Sequence, residues 1–95
     1  MKRAYVLARV RNPEAGRPEV EVLSFHPGLD RTALEAEVRR LEDQGHRILA
    51  RLEEGGALGV LLTGEEGKVA VTLAPVGFVR REDLPRLALA APLLA

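Results

Sequence analysis

The feature that most constrains the fold is a run of three apolar segments in which side chains alternate with a period of two. Alternation of this kind is typical of strands that bury one face. A three-residue turn at residues 54–56 and a four-residue turn at residues 64–67 join the segments. Turns of these lengths keep the apolar side chains of neighbouring strands on the same face. The sequence therefore predicts a three-stranded meander whose single apolar face contains Ile48, Ala50, Leu52, Leu58, Val60, Leu62, Val69, Val71 and Leu73.

Residues 3–11 and 19–25 alternate in the same way, and the prolines and glycine of residues 12–18 predict a loop between them. We expect antiparallel pairing, because one register sets two arginines opposite two glutamates, whereas a slip of one residue sets charges against valines. That register predicts the pairs Arg11–Glu19, Arg9–Glu21, Leu7–Leu23, Tyr5–Phe25, Val10–Val20 and Ala8–Val22.

An amphipathic helix is predicted over residues 30–44. Asp30 can cap it, with Leu29 and Leu34 placed as a hydrophobic staple, and Thr32 with Glu35 offers a rival capping box. The helix is expected to end at Gly45 in the left-handed conformation and to lie on the sheet. Its apolar stripe consists of Leu34, Val38 and Leu41.

The C-terminal part of the chain is strongly apolar. Residues 76–80 can extend the sheet, and residues 83–85 are typical of a short helix start, since proline is tolerated in a first turn. From Leu84 to Ala95 the only charged side chain is that of Arg86. A helix with so few polar side chains either crosses its own core or packs on another chain. We expect a homodimer with an interface at Leu84, Leu87, Leu89, Leu93 and Leu94.

These elements predict an α+β fold in one domain over residues 1–95, in the order β-β-α-β-β-β-α. The sheet is five-stranded and antiparallel or mixed, with the amphipathic helix on one face. A chain of 95 residues with 46% apolar residues can form one core and not two.

Composition excludes several classes of protein. The chain has no cysteine, which removes disulfides and thiolate chemistry. It has neither a secretory leader's apolar run nor a membrane-spanning stretch, so we expect a cytoplasmic protein that does not enter a membrane. Its 14 basic and 14 acidic residues require no oppositely charged partner. The scarcity of labile side chains favours a thermostable protein, although nucleotide composition would explain the same bias towards arginine.

His26 is the one residue that suggests catalysis. It lies in the predicted loop before the helix, where Asp30 could orient the imidazole for proton transfer. A turn histidine is the simpler interpretation, because Asp30 is also required as a cap. His46 follows the predicted helix end, where a cation interacts favourably with exposed carbonyls. The spacing of the two histidines fits no metal motif, and the sequence predicts no cofactor.

We expect the glycines to form turns and the paired carboxylates to have no catalytic role. No glycine run matches a phosphate-binding motif, and the adjacent acids lie in turns, where they point apart. Basic residues that could contact phosphates if they converge are Arg3, Arg9, Arg11, Arg80 and Arg81.

Three functional classes therefore remain open. The first is a non-catalytic homodimeric module that docks on an unidentified protein. The second is a nucleic-acid-associated accessory protein that uses the arginines named above. The third is a small enzyme that uses His26. The sequence predicts the fold in more detail than the activity.

Overall fold

The computed structural model describes residues 4–75, which form one five-stranded sheet and one helix. Every neighbouring pair of strands is antiparallel, and the strand order is β2-β1-β5-β4-β3. In chain order the elements are β1 (Tyr5–Arg11), β2 (Glu19–His26), α1 (Arg31–Asp43), β3 (Ile48–Glu54), β4 (Ala57–Thr63) and β5 (Lys68–Pro75).

The N-terminal hairpin confirms four of the six expected pairs. Arg11 pairs with Glu19, Val10 with Val20, Arg9 with Glu21 and Ala8 with Val22, as predicted. A β-bulge then adds Leu23 to β2, so that Leu7 lies opposite Ser24 and Tyr5 opposite His26. The predicted pairs Leu7–Leu23 and Tyr5–Phe25 are therefore wrong.

The turn between β3 and β4 is shorter than expected. Glu54 pairs with Ala57, which leaves only Gly55 and Gly56 in the turn, with φ of 57° and 87°. Positive φ at both positions is the type I′ geometry, whose twist matches that of the strands, and glycine adopts it without steric cost. A two-residue turn instead of a three-residue one reverses the faces of β3. Leu52 consequently lies opposite Gly59 and not beside Leu58.

The predicted single apolar face is thus correct for β4, for β5 and for Ile48 of β3, and wrong for Ala50 and Leu52. Beside helix α1 lie the expected residues of β4 and β5, together with Ile48, because a bulge at Leu49 separates Ile48 from the rest of its strand. Ala50 and Leu52 lie on the opposite face, which we call the second face. The four-residue turn from Gly64 to Gly67 is as predicted, since Thr63 pairs with Lys68.

Helix α1 begins as the aspartate cap predicts. The Asp30 side chain accepts a hydrogen bond from the backbone N–H of Thr32 at 2.9 Å, so Asp30 and not Thr32 is the N-cap. Leu29 and Leu34 are both buried in the cluster between helix and sheet, as a hydrophobic staple requires. Gly45 follows the helix with φ of 99°. The helix buries Leu34, Val38 and Leu41 against the sheet.

Both faces of the sheet are apolar and buried. The helix side contains the larger side chains, and Val60 and Val71 there are almost completely inaccessible. The second face has smaller side chains on average, because three of its core residues are alanines; the core there consists of Ala8, Val10, Ala50, Leu52, Leu61 and Ala70. The predicted extension of the sheet at residues 76–80 and the predicted C-terminal helix, with its leucines, lie outside the described residues.

Thr72 is the exception on the second face. It lies opposite Ala8 and Gly59, is fully buried, and its hydroxyl has no hydrogen-bond partner. Burial of an unpaired hydroxyl is unfavourable, because the group loses its hydrogen bonds to water.

We therefore expect Thr72→Val to raise the free energy of unfolding by about 1 kcal/mol, since valine has a similar shape and no hydroxyl. Thr63→Val is the matched control, because the Thr63 hydroxyl accepts the backbone N–H of Arg47 at 2.9 Å; that variant should lose about 1 kcal/mol. Urea unfolding measures both. A loss of stability in the Thr72 variant would contradict the assignment of an unpaired hydroxyl.

Candidate functional site

The structure brings two of the five predicted phosphate-contacting arginines together. Arg9 and Arg11 are alternate residues of β1, and both lie on the helix side of the sheet. Arg3, Arg80 and Arg81 lie outside the described residues. Convergence of the full set is therefore not a feature of residues 4–75.

Arg9 is held by carboxylates from two other elements. Its Nη2 donates to Glu21 Oε2 on β2 at 2.6 Å, and its Nη1 donates to Glu37 Oε1 on α1 at 3.3 Å. The side chain is 15% exposed, and its Nε is buried without a partner. Glu37 also accepts hydrogen bonds from Arg40, including one from Nε at 3.0 Å. The network ties the edge strand, its neighbour and the helix together, and it leaves Arg9 little capacity to contact a phosphate.

The network shifts the pKa of two of its side chains. The hydrogen bond from Arg9, reinforced by its positive charge, lowers the pKa of Glu21 below the usual value for a glutamate. The hydrogen bond to Glu37, reinforced by the carboxylate charge, raises the pKa of Arg40. Both shifts favour the charged forms, so the network persists as ion pairs at neutral pH.

A cleft of about 330 Å³ opens beside Arg9 at one end of the sheet. Arg11 and Lys68 line it, as do Glu65 and Glu66 of the turn between β4 and β5. Lys68 pairs with Glu14 at 2.5 Å. Acidic groups thus offset most of the positive charge around the cleft, and the C-terminal end of α1, which also lines it, carries the negative end of the helix dipole. The cleft is not a strongly basic pocket.

His46 lines the same cleft and has a structural role there. Its Nδ1 donates to the Thr63 carbonyl at 2.5 Å, since a carbonyl can only accept, and its backbone N–H donates to the Leu41 carbonyl at 3.1 Å. His46 therefore joins the end of the helix to β4.

His26 lines neither the cleft beside Arg9 nor a second cleft at the other end of α1. It is the last residue of β2, exposed, with its ring close to Gly28. The carboxylate of Asp30 accepts the helix-capping hydrogen bond from Thr32 and does not orient the imidazole of His26. The second cleft, of about 320 Å³, lies at the other end of α1, beside the ion pairs Arg51–Glu35 and Arg31–Glu53.

The feature that sequence reasoning missed is an exposed apolar pair on edge strand β2. Val22 lies opposite Ala8 and Phe25 opposite Val6, so both side chains belong to the second face. They are 48% and 59% exposed, respectively. Residues three apart on a regular strand point to opposite faces, and the bulge at Leu23 brings these two to the same face. At the other edge of the sheet, Leu49 is 48% exposed.

Two further observations concern metals and membranes. Among residues 4–75, no group of three or more histidine and acidic side chains is arranged to hold a metal ion. Within the same range, no helix combines the length and the apolar character that crossing a membrane requires.

Comparison with known proteins finds no matching family model, no matching curated protein and no matching solved structure.

The partly buried ion pairs around Glu37 are expected to matter more than the exposed ones. Glu37→Gln should lower the free energy of unfolding by about 1–2 kcal/mol, because the mostly buried Arg9 loses a charged partner. Glu53→Gln is the control, since Arg31 and Glu53 are 60% and 68% exposed; its effect should stay within about 0.5 kcal/mol. Equal losses in urea unfolding would show that burial of the network is unimportant.

Proposed function

We propose that this chain is a cytoplasmic protein-interaction module that works as a homodimer and has no catalytic activity of its own. The observation that carries the proposal is the exposed pair Val22 and Phe25 on an edge strand. Aromatic residues are enriched in protein interfaces, and this chain has only three of them. Phe25 is 59% exposed, and such exposure of an aromatic side chain is expected where a partner covers it.

The position of the pair supports the same proposal. In the sheet formed by residues 4–75, β2 is an edge strand, and an edge strand is a ready template for another strand. Glu21, Ser24 and His26 flank the pair along β2 and lie on the helix side of the sheet, so this strand is polar on one face and apolar on the other. We also propose that the leucines of residues 84–94 form a second part of the interface; this part of the proposal is based only on the sequence.

Sedimentation equilibrium of the full chain tests the proposal. We expect a reversible monomer–dimer equilibrium at tens to hundreds of micromolar, because a single edge strand offers less area than a standard interface of about 1,600 Å². A monomer throughout that range would contradict the dimer.

The nucleic-acid alternative depends on Arg11. Arg9 already donates to two carboxylates, whereas the exposed Arg11 has no ion pair among the described contacts. If this alternative is correct, generic DNA or RNA should bind with an affinity that falls steeply with added salt. Arg11→Gln should then weaken binding, and Arg31→Gln, at the opposite end of the helix, is the control. Absence of salt-dependent binding in the wild type would dispose of the alternative.

A further inference from the structure

We propose that β2 pairs antiparallel with β2 of a second copy, about a two-fold axis that passes between Leu23 and Ser24. This inference rests on the proposed homodimer and specifies its interface. In this register Val22 of each copy lies opposite Phe25 of the other, and Glu21 lies opposite His26. The two sheets then join into one sheet of ten strands.

The first argument is that every pair in this register shares a face. Val22 and Phe25 are on the second face. Leu23 and Ser24 are both on the helix side, because Leu23 packs against the helix-side cluster and Ser24 lies opposite Leu7. Glu21 lies opposite Arg9 and His26 opposite Tyr5, also on the helix side. Opposite residues of a ladder must share a face, and here all of them do.

The two registers that differ from this one by a single step fail this requirement. An axis on Leu23 sets Val22 against Ser24, and an axis on Ser24 sets Leu23 against Phe25; each of these pairs joins opposite faces of the sheet. An axis on Glu21 keeps the faces matched. It places the two Glu21 carboxylates against each other, however, and leaves Phe25 uncovered, so like-charge repulsion disfavours it.

The second argument is chemical complementarity. The half-exposed valine and phenylalanine cover each other twice across the axis, and aromatic side chains pair well with β-branched ones on neighbouring strands. Arg9 occupies Oε2 of Glu21, which leaves Oε1 to accept a hydrogen bond from the imidazole of His26 of the second copy. The surface is therefore complementary to itself, as a two-fold interface must be.

The bulge at Leu23 is what makes this arrangement possible. Bulges usually protect an edge strand by interrupting its alternation. In β2 the bulge instead brings Val22 and Phe25 to one face. When two copies of β2 pair about the proposed axis, their two bulges lie next to each other.

Cysteine cross-linking tests the register, because the natural chain contains no cysteine. Val22→Cys and Phe25→Cys are made separately, one of them isotope-labelled, and oxidised alone and as a mixture. Directly opposite residues have Cβ atoms about 5 Å apart, whereas two copies of residue 22 would be roughly 10 Å apart. We therefore expect the mixed 22–25 disulfide by mass spectrometry, at several times the yield of either variant alone.

Leu49→Cys is the matched control, with the same exposed fraction as Val22 on the opposite edge strand. A second measurement uses Val22→Glu, which should weaken dimerisation by at least about tenfold, whereas Leu49→Glu should leave it unchanged. Self-cross-linking of either variant as efficient as that of the mixture would overturn the register. A wild-type dimer that is insensitive to Val22→Glu would overturn the interface and keep the homodimer. A wild-type monomer would reject the proposed function itself.

Discussion

The two-face alternation of strand side chains is the constraint on which this structure depends. Because successive residues point to opposite sides, one residue gained or lost in a turn or bulge exchanges everything that a strand buries. Helix α1 can cover only one side of the sheet, and it does so with Leu34, Val38 and Leu41. The core residues on the helix side are all leucines and valines, whereas three of the six on the second face are alanines. The turns and the two bulges together produce this division.

Local chemistry made much of this fold predictable from sequence. Opposite charges select the register of Arg9 with Glu21, and an aspartate before an apolar stripe marks the start of the helix. The prediction was wrong for β3, where the sequence Glu-Gly-Gly is compatible with a two-residue or a three-residue turn. The exchange of faces places Arg51 beside the helix, where it pairs with Glu35 at 2.8 Å. This ion pair is available only in the observed alternative, and it involves residues 16 positions apart, so no local pattern indicates it.

The site was less predictable than the fold, for a related reason. The interactions that decide the availability of a side chain join distant parts of the chain. The sequence predicts Arg9 opposite Glu21 and also as a candidate phosphate contact, whereas the structure adds a second carboxylate partner, Glu37, 28 positions away. Phe25 is predicted opposite Tyr5, whereas one extra residue in its strand places it opposite Val6 on the second face, where it is exposed. The strand order, with β1 beside β5, also arises from contacts that the sequence pattern does not specify.

The two edges of the described sheet differ in charge and in the apolar surface that they expose. Edge strand β3 has charged side chains at Arg51, Glu53 and Glu54 and a single exposed leucine, which is a common way to discourage pairing with another strand. Edge strand β2 has two glutamates in its first half, and Arg9 neutralises one of them. Its second half is nearly uncharged and contains Phe25. Among residues 4–75, the β3 edge of the sheet is thus charged, whereas the second half of the β2 edge is apolar and nearly uncharged. For the dimer that we propose, this asymmetry predicts a closed assembly and not an extended fibre, because an interface that uses the β2 edge of both copies leaves the charged β3 edges outside.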